Sequence, residues 1–427
     1  MRFIYLLALG MGTAFSASIP KQVTFHRDVQ PVLQKNCQSC HRPGEATPMS
    51  FLTYNDARPF AKAIKEAVLT KRMPPWFAAP HVGKFANDRS LSQGEIDTLV
   101  HWADGGAKEG NPKDAPKPAQ FVQGWNIGQP DLIVEIPKPF EVKDSGTIDY
   151  TYFVLPLNLK EDTWISAAEV RPGNREVVHH VIAFVRPPGS KWLRNAPLGE
   201  PYLPKRGEGG TPFGQWVSAY APGMPPDTML PGQGRLLKAG SDVVLQMHYT
   251  ASGKAAKDQT RIGFAFSKQP AKERVVTLAA GTDKFAIPPG DPDYEVRSSL
   301  TLHEDTKLVT LLPHMHLRGK SFEMRAVFPT GETEVLLNVP RYDFNWQLVY
   351  RPNEQKLLPK GTKIECTARF DNSANNKHNP DPSATVRFGE QSWDEMMIGF
   401  FDVAVAPHMD ADDVTRDRRK AATTAKN

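Results

Sequence analysis

The chain has 427 residues, 38 of them proline, 9% aromatic residues and a formal net charge of +5. That length exceeds one ordinary domain and suggests about three, while the proline content favours turns and short strands over long helices. A charge this small, without long blocks of like sign, makes nucleic acid a poor partner.

The chain starts Met1-Arg2 and continues in a short apolar run, Phe3 to Phe15, with Ala14 and Ser16, or Ser16 and Ser18, as small-residue cleavage pairs. This pattern predicts a secretory signal peptide over residues 1–17. An uncleaved anchor is the competing reading, but the run falls short of the ~20 residues that span a bilayer. No later segment is long enough either, so the protein is expected to be periplasmic or secreted and not integral to a membrane.

Residues 22–110 read as a small helical domain. Val29, Val32 and Leu33 give one apolar face and Ala61 to Leu69 another, and Ser92 and Glu95 are spaced as a capping box before Ile96 to Trp102. Within it lies Cys37-Gln38-Ser39-Cys40-His41. C-x-x-C-H is the pattern of covalent haem attachment: two thiols reach the vinyl carbons while the adjacent imidazole reaches the iron. Met73, in Lys71-Arg72-Met73-Pro74-Pro75-Trp76, is the expected sixth ligand, because the prolines stiffen a loop that could hold its thioether. Met49 stands too close to His41 in sequence, and core filler is the plain alternative for Met73. From about Phe25 to Gly110 the chain resembles a small class I cytochrome c, which implies a haem c used for electron transfer.

Residues 111–128, with Pro112, Pro116 and Pro118, read as a stiff Pro-rich linker. Beyond it the period changes to alternation and short apolar runs. Strands are predicted at Asp131 to Ile136, Tyr150 to Leu157, Thr163 to Val170, Val177 to Val185, Asp242 to Tyr249 and Arg261 to Phe266. After a break near Ser267 to Lys272 they resume at Tyr294 to Thr301, Thr306 to Leu312, Ser321 to Phe328, Glu334 to Val339, Lys363 to Phe370 and Met396 to Ala406. The expected fold is thus a small all-α cytochrome c domain followed by two all-β jelly-roll-like sandwich domains, 129–270 and 271–408. The charged, Ala/Thr-rich residues 409–427 read as a disordered tail.

Five of the twelve histidines cluster in the β region, as His179-His180, His248 and His314-Met315-His316. On a strand, residues two apart share a face, so His314 and His316 can meet one ion while Met315 points away. Adjacent His179 and His180 can share an ion only where the strand bends or bulges. His248 would supply a third imidazole from another strand. One histidine alone is more often a satisfied polar residue; three clusters together indicate metal. Imidazoles with a thioether suit copper better than calcium or magnesium, with zinc competing for the histidines. Met396, in Trp393-Asp394-Glu395-Met396-Met397, is the candidate thioether and Met397 the runner-up. The remaining histidines form no such cluster; His378, in a polar loop, is a candidate to line the site.

This order, His-His, a lone His within Leu-Gln-Met-His-Tyr, His-x-His and Asp-Glu-Met, resembles the copper type II, ascorbate-dependent monooxygenases, over about Asp131 to Val405. The resemblance implies two jelly rolls facing each other across a solvent-filled cleft. It implies an electron-transferring copper on His179, His180 and His248, an oxygen-activating copper on His314, His316 and Met396, and hydroxylation of a C–H bond. The expected partners are a small organic substrate, O2 and a periplasmic electron donor, either an ascorbate-like reductant or a redox protein. The family's animal members carry several disulfides, whereas Cys366 is the only cysteine here outside the haem motif and is expected to be a free thiol. The same inventory would also serve a non-catalytic haem/copper electron carrier or redox sensor, or a copper-handling or binding protein on this scaffold.

Overall fold

The computed structural model describes residues 22–45, 47–205, 208 and 216–416. The expected signal peptide lies outside them. None of the helices among the described residues is long and apolar enough to cross a membrane.

Contacts divide the chain into two compact units. The first runs to Gln38 and includes Met49–Pro74 and Leu91–Ala119. Its main helices are Gln30–Asn36, Ala61–Leu69 and Gln93–Asp104. The last begins with the expected capping box, Ser92 and Glu95 each accepting the other's backbone N–H. Phe25, Leu33, Leu99 and Trp102, none with any exposed surface, form its core.

The second unit takes in the β region and also Ser39–Pro48 and Pro75–Ser90. The expected domain 22–110 is therefore not one body. The physical reason is plain in the second loop: Trp76 and Phe85 pack on Tyr350 at ring distances of 4.9 and 5.5 Å, and the Asn87 amide donates to Val349 O and accepts from Arg351 N–H. The latter half of the linker is fastened, since the buried Glu169 carboxylate accepts the N–H groups of Asn126 and Ile127 at 2.6 and 3.2 Å. At the other end, the reading of residues 409–427 as disordered fails for 410–416. Asp410 and Asp413 form a capping box on helix Ala411–Thr415, whose Val414 is fully buried. Residues after Arg416 lie outside those described.

The second unit is built on a nine-stranded sheet. Its main path runs Leu132–Glu135, Arg261–Phe266, Thr163–Arg171, Gln233–Leu237, Glu273–Gly281, Ile398–Val405, Thr306–His314 and Lys356–Leu358. Over its first half lies a four-stranded sheet of Thr151–Pro156, Asp242–Tyr249, Val178–Arg186 and Trp216–Tyr220; over its second half lies one of Tyr294–Thr301, Lys363–Phe370, Gly319–Val327 and Thr333–Val339. The result is two four-over-four β-sandwiches sharing one sheet, each with its own apolar core. No boundary falls at residue 270 because Glu273–Gly281 pairs directly with the first sandwich, Glu273 opposite Gln233 and Arg274 opposite Gly234 in parallel register. This central strand was missed because Val275, Val276, Leu278 and Ala280 are buried without the polar alternation of a half-exposed strand.

A third apolar cluster fills the space between the sandwiches. Tyr150, Tyr152, Phe184 and Trp216 on the outer face of the first pack with Leu312, Met396, Ile398 and Phe400 of the second. At the seam, Arg235 pairs with Asp402 at 2.8 Å, both side chains nearly inaccessible, and Asp402 also accepts from Thr277 and Thr310 at 2.6 and 2.8 Å. Asp227 is close enough for Arg235 to hold its carboxyl down against the stronger upward push of burial. Arg235→Met would leave these carboxylates buried without their cation. It is expected to cost about 3–5 kcal/mol, measured by denaturant unfolding against wild type.

Candidate metal centre

The strands Val178–Arg186 and Asp242–Tyr249 pair antiparallel with His180 opposite His248, and the register slips by one residue between Val178 and His180. His179 is the extra residue of that bulge. A regular strand would send it to the other face; the bulge turns it to the same side. His179 Nδ1 and His180 Nδ1 come within 3.1 Å, and His248 Nδ1 lies 3.4 Å from His180 Nδ1. The three ligand atoms all lie within 4.8 Å of one another. Tyr150 packs edge-on against His180 and tilted on His248, at 5.5 and 4.7 Å between rings. Its hydroxyl is 3.3 Å from Ser392 Oγ, which fixes the ring.

Burial, and then the neighbouring His179, lowers His248 to about 3. Burial, and then the surrounding imidazoles, also holds His180 well below its ordinary value. The imidazoles are thus neutral at neutral pH, the form that binds a metal. Three nitrogens converging with no acid among them are a donor set for a borderline-soft ion such as copper or zinc.

The second set lies where the strand Thr306–His314 ends. His314 and His316 have ring centroids 5.2 Å apart, and Met315 between them is fully buried in the opposite core. Each imidazole is oriented through Nδ1: His314 to Gln347 Oε1 at 2.9 Å, and His316 to the Asp394 carbonyl at 3.3 Å. That leaves Nε2 as the ligating atom, and His316 Nε2 is buried with no hydrogen-bond partner among the described residues. A buried imidazole nitrogen so placed, in a ring next to a second imidazole, suits metal ligation. Gln347 and the Asp394 carbonyl play the part that outer hydrogen bonds play around metal-bound histidine.

Packing separates the two methionines. The strand ladder ends with His314 opposite Ile398, and Met396 lies two residues before Ile398 in the chain. Met396 packs with Leu312, Ile398 and Phe400. Met397 turns to the other core, where its Sδ accepts from Ser298 Oγ at 3.3 Å. Next to Met396 in the chain is Glu395, fully buried and pushed up by burial to about 8. Its oxygens accept the His316 and Arg318 N–H groups at 2.8 and 2.6 Å.

The two sets are not divided by a wide cleft. Phe344 stacks on His179 at 5.4 Å and stands 6.2 Å from His248 and 5.9 Å from His316. His180, His314, Tyr220 and Gln347 line one small cavity. A larger cavity of about 940 Å3 opens on the side of Asp394, lined also by Lys205, Arg318, Arg387, Phe388 and Trp393. His378 is exposed and lines neither cavity. Phe344 and Gln347 escaped sequence reading, since neither is a typical copper ligand and both lie in an irregular turn, and Glu395 was read only as part of the Asp-Glu-Met motif.

Of the haem motif, Cys37 caps the C-terminus of helix Gln30–Asn36 in the first unit, and Cys40 and His41 group with the second. No cysteine of the chain is in a disulfide, and Cys366 is buried, its thiol pushed up by that burial. His41 is buried and its Nδ1 lies 3.4 Å from Thr47 Oγ1. Met73 is half-buried in the first unit, its N–H bonded to Ala67 O at 3.2 Å.

No protein-family model and no curated protein matches the chain. Among solved structures it is similar to the VP2 subviral particle of infectious bursal disease virus, at 10% identity over 67% of this chain and 73% of that one, with a TM-score of 0.19. It is also similar to allantoicase, at 9% identity over 62% and 80%, with a TM-score of 0.18. Likeness at this level carries no functional assignment.

Two outcomes follow from the geometry. Gln347→Leu removes the acceptor that orients His314 and is expected to weaken metal binding at the second set by about 10–100-fold, read by competition with a chelator, with the first set unchanged. For the metal-free protein, the depressed imidazole values mean that the unfolded chain binds more protons than the folded one between about 6.5 and about 3. Stability is therefore expected to fall as pH drops through that window. Calorimetry should show the decline, and His248→Gln should make it shallower.

Proposed function

We propose that this chain is a periplasmic copper-dependent monooxygenase that hydroxylates a C–H bond of a small organic molecule with O2, its electrons arriving through a covalently bound haem c. The observation that carries this reading is the pair of imidazole sets. Three imidazoles converge at a bulge, and two more, His314 and His316, lie one phenyl ring away, with Met396 buried just before the strand that pairs with His314. Such a pairing suits two ions with different tasks better than one structural ion.

In this reading His179, His180 and His248 hold the electron-transferring copper, and His314, His316 and Met396 hold the oxygen-activating one. Bound there, copper supplies one-electron cycling and O2 activation, with the thioether favouring the reduced ion. The chain's own residues do the rest. Gln347 and the Asp394 carbonyl fix the tautomers of His314 and His316. Phe344 keeps water from between the sets, and Met397 and Met315 fill the core behind the second. Substrate would approach from the cavity beside Asp394, where Arg318, Arg387 and Lys205 supply positive charge and Trp393 and Phe388 supply apolar surface. In this reading Cys37 and Cys40 would carry the thioethers of haem c, and His41 and Met73 would be the iron ligands.

The test is composition followed by turnover. Protein exported with copper supplied is expected to carry one haem and two type 2 coppers by metal analysis and EPR, and Met396→Ala to lose the copper of the second set alone. Coupled O2 uptake and hydroxylated product from a panel of small organic compounds would complete the assignment. Full metal loading with reversible redox cycling but no product would point to an electron carrier or sensor. Zinc, or no metal, in the β-sandwiches would remove the oxidative chemistry.

A further inference from the structure

The turn Asp343–Gln347 meets both imidazole sets. Phe344 stacks on His179, Asn345 hydrogen-bonds to His179, and Gln347 holds His314. Trp346 is the member with no part in that work. It is half-buried, and its turn is tied by Trp346 N–H to Asp343 O and Leu348 N–H to Trp346 O, both at 3.0 Å. It stands on the side of the haem motif: Gly223, at φ +77°, lies between the two, a Cβ there being 3.9 Å from Cys40 Sγ and 3.9 Å from Trp346 Cζ3.

Resting on the reading above, we infer that this turn is the electron path from the haem to the first copper, with Trp346 receiving beside Cys40 and Phe344 delivering at His179. One electron leaves ferrous haem iron, which becomes ferric, and a cupric ion at His179, His180 and His248 becomes cuprous. No bond in the chain is made or broken. The covalent route is short, Trp346 to Asn345 to Phe344, and it has a delocalised ring at each end. Electronic coupling decays faster across an open gap than along bonds and packed rings, which favours this route over one through solvent.

A second aromatic side chain competes. Tyr220 interacts with Cys40 and lines the cavity shared by His180 and His314. Its hydroxyl is buried with no hydrogen-bond partner among the described residues, so a proton lost on oxidation would have no acceptor. Trp346, unlike Tyr220, belongs to the turn whose Phe344 stacks on His179.

The experiment uses oxidised holoprotein under argon. The haem is reduced by a laser flash, its reoxidation is followed by absorbance, and loss of Cu(II) is followed by freeze-quench EPR. Trp346→Leu is expected to slow reoxidation on the order of tenfold, equivalent to about 1.4 kcal/mol of barrier, with the haem spectrum, haem potential and copper EPR unchanged. Trp346→Phe is expected to recover most of the rate. If the leucine variant fails to fold, Trp346→Met carries the same expectation. A wild-type rate in the Leu or Met variant, or slowing in Tyr220→Leu alone, overturns the path and leaves the proposed function standing. Wild-type protein lacking haem or copper overturns both.

Discussion

The parallel join between Gln233–Leu237 and Glu273–Gly281 fixes the positions of everything else in the β body. It turns two sandwiches into one continuous sheet, and the Arg235–Asp402 pair at 2.8 Å fastens it from inside. A buried ion pair is poor evidence of net stability but costly to break, because one surviving charge has nowhere to go. Here it also sets geometry. Asp402 lies on the strand Ile398–Val405, whose start faces His314 and leads back to Met396. The seam and the second imidazole set therefore share one strand, and the separation of the two sets is fixed by sheet register rather than by a hinge.

Within that frame the bulge at His179 does the local work. A regular strand can present only one of two adjacent imidazoles to a face. One extra residue brings both there, at the cost of a ladder position. The histidines tolerate burial because they stay neutral, and their mutual interactions push in the same direction. The same neutrality would make the first set ready to bind without losing protons at neutral pH.

The sequence revealed the histidine pattern and much of the strand pattern, because both follow from period two. It revealed the need for a bulge but not its place in the ladder. Met396 and Met397 could not be told apart from sequence, since only the fold decides which apolar cluster each joins. Glu273–Gly281 hid in a run of valine and alanine, and Gln347 hid in an irregular turn whose residue types announce no metal chemistry. The boundaries suffered most. Nothing in the composition of residues 39–48 or 75–90 signals that Trp76, Phe85 and Asn87 have their partners at Val349 to Arg351.

The packed space between the sandwiches changes what the resemblance implies. A wide aqueous cleft would make an electron cross water and would let partly reduced oxygen escape. Tyr150, Phe184, Trp216 and Phe400 fill that space here, and Phe344 stands between the imidazole sets. Transfer between two metals so placed would not need an open cleft. In the proposed reading the burden moves to the substrate, which would come past Asp394, whose carbonyl orients His316. A ligand seated there would press on the segment that aims the second set. Substrate occupancy and the readiness of that set would thereby be coupled through one stretch of chain, Trp393 to Met396.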